Sequence, residues 1–87
     1  MLEIKKFSAD WCHSCIIMKT SVWPGILEAN LDIIFQEINT DKDPEISATF
    51  KVLALPTVIF IKDGLEAYRI VGVQQLKTYQ DAIDRLK

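Results

Sequence analysis

The sequence predicts an α/β protein with the element order β-α-β-α-β-β-α, built as a mixed four-stranded sheet with helices on both faces. Three observations carry that expectation. Residues 2–7, 32–39, 57–61 and 66–71 are short runs that alternate in polarity or are rich in β-branched residues. Helical apolar spacing fills the intervals between the first three runs, so their connections are crossovers rather than hairpins. Asp63-Gly64 stands between the last two runs and is a hairpin signal, which makes that pair antiparallel.

The elements follow in order. Leu2 to Phe7 alternates apolar and charged residues, with Leu2, Ile4 and Lys6 on one face of a first strand. Ser8 to Trp11 is a loop. A helix from Cys12 to about Val22 carries Cys15, Ile16, Met18, Lys19 and Val22 as its stripe. Pro24 lacks an N–H and pushes Trp23 out of the α region, so that helix breaks near Trp23. A short second helix, Pro24 to Asn30, then starts with proline in its first turn. Asp32 to Asn39 is the next strand. Asp43-Pro44 supplies a cap and a first-turn residue for a helix that turns Ile46 and Phe50 inward. Val52 to Pro56 is extended, because the residue before proline avoids the α region. Thr57 to Ile61 and Glu66 to Val71 form the hairpin. Leu76, Tyr79, Ile83 and Leu86 are the inner stripe of a terminal helix from about Gln74 to Lys87, and its charges form a solvated face.

Bulk properties narrow the function. Eighty-seven residues, 49% of them hydrophobic, suit one domain spanning residues 1–87 with a small core. A net charge of -2 lacks the basic footprint of a nucleic-acid binder. No apolar run reaches the length of a membrane span, and Met1 to Lys6 has no signal-peptide character. The expected setting is cytoplasmic, with neither a membrane nor a nucleic acid as partner. Two cysteines this close cannot staple a domain.

The chemistry centres on Trp11-Cys12-His13-Ser14-Cys15, between a strand and a helix. A cysteine at a helix N-terminus meets unpaired N–H groups and the positive end of the helix dipole, which stabilise its thiolate. Its pKa falls from about 8.5 towards about 7. Such a thiolate attacks disulfides, and a second thiol three residues on can resolve the mixed disulfide. Zinc would need four ligands, whereas the chain offers two cysteines and one histidine. A haem attachment would want histidine after Cys15, where Ile16 stands. A cluster shared between two chains through Cys12 is the remaining metal alternative.

At this point the sequence resembles the thioredoxin family over nearly its whole length. The resemblance rests on Ala9 to Cys15, on Asn39-Thr40-Asp41, and on Val52-Leu53-Ala54-Leu55-Pro56-Thr57 leading into a strand. It continues through Lys62-Asp63-Gly64 and Val71-Gly72. It implies a thioredoxin fold, with Cys12 as nucleophile and Cys15 as resolving cysteine. It also implies a cis Leu55–Pro56 peptide against the disulfide, and a substrate groove of Trp11, Leu55, Pro56, Gly72 and Val73. The implied activity is reduction of protein disulfides, with a reductase as electron donor and no cofactor beyond the cysteine pair, in a monomer. Trp11 is expected to be a half-exposed platform and Trp23 a packing residue.

The departures are informative. The chain begins at the first strand of the family's core, without the additional strand and helix that come earlier in classical members. The motif centre is His13-Ser14. A partly charged His13 would stabilise the Cys12 thiolate and raise the potential above about -270 mV, towards about -200 mV. Six residues before the first cysteine the family usually carries a buried acid; here Lys6 stands there, and Glu37 stands where a lysine is common. The expectation is an exchanged pair, Lys6 with Glu37, beneath the cysteines, with Glu37 supplying the carboxylate that moves the Cys15 proton. A glutathione-dependent, glutaredoxin-like reductase is the near alternative. A thioredoxin-fold docking module without chemistry is the distant one.

Overall fold

The first strand, β1 (Leu2–Ser8), is the centre of the molecule, and the neighbouring elements bury both of its faces. A computed structural model describes residues 1–87. The strand order is β2-β1-β3-β4. On one side β1 pairs in parallel with β2 (Ile34–Asn39), setting Lys6 beside Glu37, Phe7 beside Ile38 and Ser8 beside Asn39. On the other it pairs antiparallel with β3 (Thr57–Lys62), five successive residues of which are buried. β3 turns back into β4 (Leu65–Val71) through Asp63-Gly64. Both turn residues have positive φ, 52° and 86°, as a tight two-residue hairpin turn requires.

Four helices cover the sheet: α1 (His13–Ser21), α2 (Trp23–Ala29), α3 (Pro44–Thr49) and α4 (Leu76–Leu86). The larger core joins Leu2, Ile4, Val58, Phe60 and Ile70 of the sheet to Met18, Trp23, Ile26, Tyr79, Ala82 and Ile83 of α1, α2 and α4. The opposite face packs Phe7, Ile38, Ile59 and Ile61 against Ile46 and Phe50, at α3 and its C-cap. Each fully buried isoleucine contributes about 1.5–3 kcal/mol. Alternation along β1 decides which core each residue enters, so Ile4 and Phe7 point oppositely and both are fully buried.

Several local expectations are corrected. The α1 stripe is Cys15, Met18 and Val22, whereas Ile16 is 50% exposed. One residue beyond Cys15 is a rotation of about 100° around the helix, which carries Ile16 off the buried face. Asp43 occupies the N-cap of α3, but its carboxylate makes no capping bond; its carbonyl accepts from the Ser47 hydroxyl at 3.3 Å. The terminal helix begins at Leu76, because Gln75 is extended, with φ -71° and ψ 154°. Leu76 is 39% exposed, and Ala82 joins Tyr79 and Ile83 on the buried stripe. The helix breaks one residue earlier than expected, at Val22, and Trp23 is itself the first residue of α2, because Pro24 in a helix's first turn lacks only an N–H that would have no partner there. Val22 ends α1 and starts α2, and Trp23, with Pro24 behind it, drops into the larger core.

Candidate active site

The loop after β1 delivers the cysteine pair to the start of α1. The Cys12 N–H donates to the Ala9 carbonyl at 3.1 Å, which turns the chain off the strand. Cys12 is extended, with φ -86° and ψ 106°, and is the N-cap of the helix. Its sulfur accepts the Cys15 N–H at 3.2 Å. In a reduced protein that donor and the positive end of the helix dipole would face the Cys12 sulfur. Cys12 and Cys15 form a disulfide with a Cα–Cα distance of 5.2 Å, well inside the usual range. Both cysteines are buried in a small cluster with Ala9, and Leu55 packs against it.

Leu55 reaches the pair from the loop before β3. The Leu55–Pro56 peptide is cis and Pro56 is buried. Neither the N–H nor the carbonyl of Leu55 has a hydrogen-bond partner within the chain. The Gly72 N–H donates to the Pro56 carbonyl at 2.8 Å, and Gly72 holds φ 89°, a conformation that favours glycine. The hydroxyl of Tyr79 secures that loop. It donates to the Gly72 carbonyl at 3.1 Å and accepts the Gln74 N–H at 3.2 Å. Burial holds the Tyr79 pKa above the usual phenol range. Gly72 thus adjoins Pro56 as the expected groove requires, whereas Val73 packs against the larger core.

Trp11 is more exposed than a half-exposed platform, at 71%. Its indole N–H donates to Asp41 Oδ2 at 2.8 Å. Trp11 lines a cleft of about 220 Å³ with Thr40, Ser47, Val52, Leu53, Ala54 and Leu55. His13 is exposed in the first turn of α1.

Lys6 and Glu37 are paired. Lys6 is 2% exposed, and its ammonium lies 3.4 Å from Glu37 Oε1 and 5.2 Å from the centre of the Trp23 ring. Burial holds the Lys6 pKa below the usual lysine range, against the opposing pull of Glu37. The Glu37 side chain is 48% exposed. It lines a cleft of about 150 Å³ with Ser8, Ala9, Asp10, Cys15, Ile16 and Lys19. A carboxylate therefore shares a solvent-reaching space with Cys15. The larger cavity, about 410 Å³ around Met1, Asp32, Lys62 and Lys87, lies at the other end of β1 and is lined by no cysteine.

Two contributors escaped the sequence reading in their roles, Asp41 and the Tyr79 hydroxyl. For Asp41 a signal existed. Parallel pairing of β1 with β2 puts the loops after both strands side by side, and Trp11 and Asp41 lie on those loops. Tyr79 read as a helix-stripe residue, and nothing in the stripe announces the loop its hydroxyl reaches.

A strand-first sheet with a Cys-x-x-Cys disulfide at the following helix, and a cis Leu55–Pro56 peptide whose Leu55 packs against that pair, defines the thioredoxin-fold class of domain. The thioredoxin family model matches residues 2–85, and the chain belongs to that family. It is 32% identical over 82 residues to thioredoxin H-type 1 of Nicotiana tabacum, covering 94% of this chain and 64% of that protein. It is 31% identical to thioredoxin H2 of Arabidopsis thaliana over 74 residues, covering 85% of this chain and 55% of that protein. The chain thus spans between half and two thirds of these two relatives. The crystal structure of Fasciola hepatica thioredoxin superposes with a TM-score of 0.90 at 29% identity, covering 99% of this chain and 81% of that one.

Proposed function

We propose that this protein is a thiol–disulfide oxidoreductase that reduces protein disulfides. The observation that carries the reading is the Cys12–Cys15 disulfide at the N-terminus of α1, with the Cys12 sulfur accepting the Cys15 N–H. In the reduced protein the Cys12 thiolate attacks one sulfur of a substrate disulfide. A Cys12–substrate disulfide forms, and the other substrate sulfur leaves as a thiolate that takes up a proton. Cys15 then gives up its proton and attacks Cys12 Sγ, releasing the second substrate sulfur. The substrate gains two electrons and the cysteine pair loses them.

Supporting roles follow from position. Glu37, in the cleft beside Cys15 and paired with Lys6, receives the Cys15 proton through water. The unpaired Leu55 backbone pairs with the incoming polypeptide, between Trp11 and the Pro56–Gly72 contact. The exposed His13, next in the chain after Cys12, tunes the pair towards a more oxidising potential. No cofactor beyond the cysteine pair enters these steps, and a partner reductase restores the dithiol. We read residues 1–87 as one domain acting as a monomer in the cytoplasm. No helix is long and apolar enough to cross a membrane.

The test is reduction of insulin by dithiothreitol with wild type, Cys12→Ser and Cys15→Ser. Wild type should accelerate it, and Cys15→Ser should accumulate a mixed disulfide through Cys12, visible by mass spectrometry. No acceleration together with no trapped adduct would overturn the reading.

A further inference from the structure

We propose that Ser8 is a positioning residue for the resolving step. Its hydroxyl and the Lys6 ammonium hold one oxygen of the Glu37 carboxylate, Oε1, and leave the other, Oε2, to take the Cys15 proton. The proposal rests on the oxidoreductase reading, with Glu37 as proton acceptor. It adds the residue that aims the acceptor and the oxygen that acts.

Strand register brings the three side chains together. Lys6 and Ser8 lie two positions apart on β1 and share one face. Parallel pairing sets Glu37 beside Lys6 and Asn39 beside Ser8. Ser8 Oγ donates to Glu37 Oε1 at 3.4 Å, and Lys6 Nζ lies 3.4 Å from the same oxygen. Oε2 takes no hydrogen bond within the chain. The Glu37 side chain is 48% exposed on an edge strand, so packing alone does not fix its torsions. Two contacts on a single oxygen do. Ser8 can serve because its own backbone is secured: the β1–β2 pairing runs to its position, and its carbonyl accepts the Thr40 N–H at 2.9 Å.

The cleft of about 150 Å³ beside Cys15 is lined by two carboxylates, and their hydrogen bonds separate them. Asp10 Oδ1 accepts the Asn39 amide at 3.2 Å, a bond that joins the loop carrying the cysteines to the end of β2. Glu37 is instead held from β1, at the floor of the cleft, by Ser8 and Lys6. Lys19 of α1 is the other cation lining the space. The Ser8 hydroxyl differs from both lysines in being neutral and directional, so it orients the carboxylate without adding charge. In the resolving step the Cys15 S–H bond breaks and its proton passes through a water to Oε2, where an O–H bond forms. The sulfur electron pair attacks Cys12 Sγ, and the bond from Cys12 to the substrate sulfur breaks. The departing substrate thiolate takes up a proton from water, and Glu37 returns its own to solvent.

The experiment mixes reduced protein with a nitrobenzoate disulfide in a stopped-flow instrument. The released aromatic thiolate is coloured, so attack by Cys12 and resolution by Cys15 appear as two successive phases. Ser8→Ala should slow the second phase about three- to tenfold and leave the first within about twofold. Ser8→Thr, which keeps a hydroxyl, should restore the second phase to within about twofold of wild type. The double variant Ser8→Ala with Glu37→Gln should be no slower than Glu37→Gln alone, because Ser8 acts only through that carboxylate. Asp10→Asn should leave the second phase within about twofold of wild type. A second phase unchanged in Ser8→Ala would overturn the proposal. So would multiplying effects in the double variant, a Ser8→Thr protein as slow as Ser8→Ala, or an Asp10→Asn protein as slow as Glu37→Gln. If wild type releases no second equivalent of thiolate, the oxidoreductase reading itself fails, a result distinct from all of those.

Discussion

Replacing Lys6 by methionine should stabilise the oxidised protein, although it removes one partner of an ion pair. The Lys6 side chain is 3% exposed, so its ammonium has lost most of its water. The effective cost of that burial is several kcal/mol. Two contacts offset it. Glu37 at 3.4 Å contributes about 1–5 kcal/mol, the lower figure applying when water screens the pair and the upper near a protein surface. The Trp23 ring at 5.2 Å adds about 1–2 kcal/mol. Because Glu37 is half exposed, its attraction lies towards the screened end. The lowered Lys6 pKa, with burial as its first cause, says that desolvation wins. Methionine keeps the length and fills the same core space without charge. Glu37 is left with water to solvate it. The expected gain is about 1–2 kcal/mol. In a domain this size each kcal/mol moves Tm by about 4–8 °C.

The pH dependence supplies an independent check. A lysine whose folded pKa is lowered is still protonated in the unfolded chain when the folded chain has released its proton. Wild-type stability should therefore rise as pH climbs from the folded Lys6 pKa towards about 10.4, the unfolded value. Below that window the burial penalty is present in full. Lys6→Met should lack the rise. Urea unfolding of the oxidised protein at pH 7 to 10.5, where the cysteines cannot titrate, measures both effects. A Lys6→Met protein less stable by about 1 kcal/mol, with the wild-type pH profile intact, would refute the reasoning.

Glu37→Gln should act oppositely, costing about 1–2 kcal/mol in urea unfolding because a buried ammonium loses its carboxylate. The same variant should slow resolution of a Cys12 mixed disulfide about tenfold or more in stopped-flow mixing, since the amide cannot take a proton. Tyr79→Phe leaves the Gly72 carbonyl and the Gln74 N–H without their hydroxyl partner, and should lower stability by about 1–3 kcal/mol. Since burial raises the folded Tyr79 pKa, wild type should also lose stability as pH rises above about 10, a loss that Tyr79→Phe should not show in thermal unfolding. Gln80→Ala strips the buried Asn30 of the side chain that accepts its amide at 2.7 Å and donates to its carbonyl at 3.2 Å. That variant should cost about 1–3 kcal/mol and increase hydrogen exchange where α2 meets α4.

What could be read in the sequence was what short-range chemistry decides. The strand runs, the Pro24 break and the Asp63-Gly64 turn depend on a few consecutive residues. The cysteine pair is likewise local, since both its capping geometry and its spacing lie within four positions. Errors of phase came from treating apolar residues as equivalent. Ile16 joined the stripe because it is apolar, but only positions in step with Cys15 and Met18 reach the core. Long-range contacts were mostly hidden. The Trp11–Asp41 bond spans thirty positions and the Asn30–Gln80 clamp fifty. The first needs the β1–β2 register and the second the packing of α2 on α4, neither of which local propensity specifies.

The Lys6–Glu37 pair lies between those cases and shows why it could be anticipated. Residues 2, 4 and 6 of a central strand share a face, and that face is covered by α1, α2 and α4, so position 6 is buried whatever occupies it. An ionic residue there must find a counter-charge on a neighbouring strand, and the parallel register offers residue 37. Because β2 is an edge strand, its member of the pair keeps access to water while the β1 member does not. The order of the two charges is therefore not symmetric. With lysine at position 6 the desolvated group is the ammonium, and the carboxylate stays in the water-reaching cleft beside Cys15. Exchanging the residues would bury the carboxylate and raise its pKa. Lys6→Glu combined with Glu37→Lys should thus preserve the pair but shift the pH profile of Cys15 resolution upward, and an unshifted profile would show that the position of the acid does not control that step.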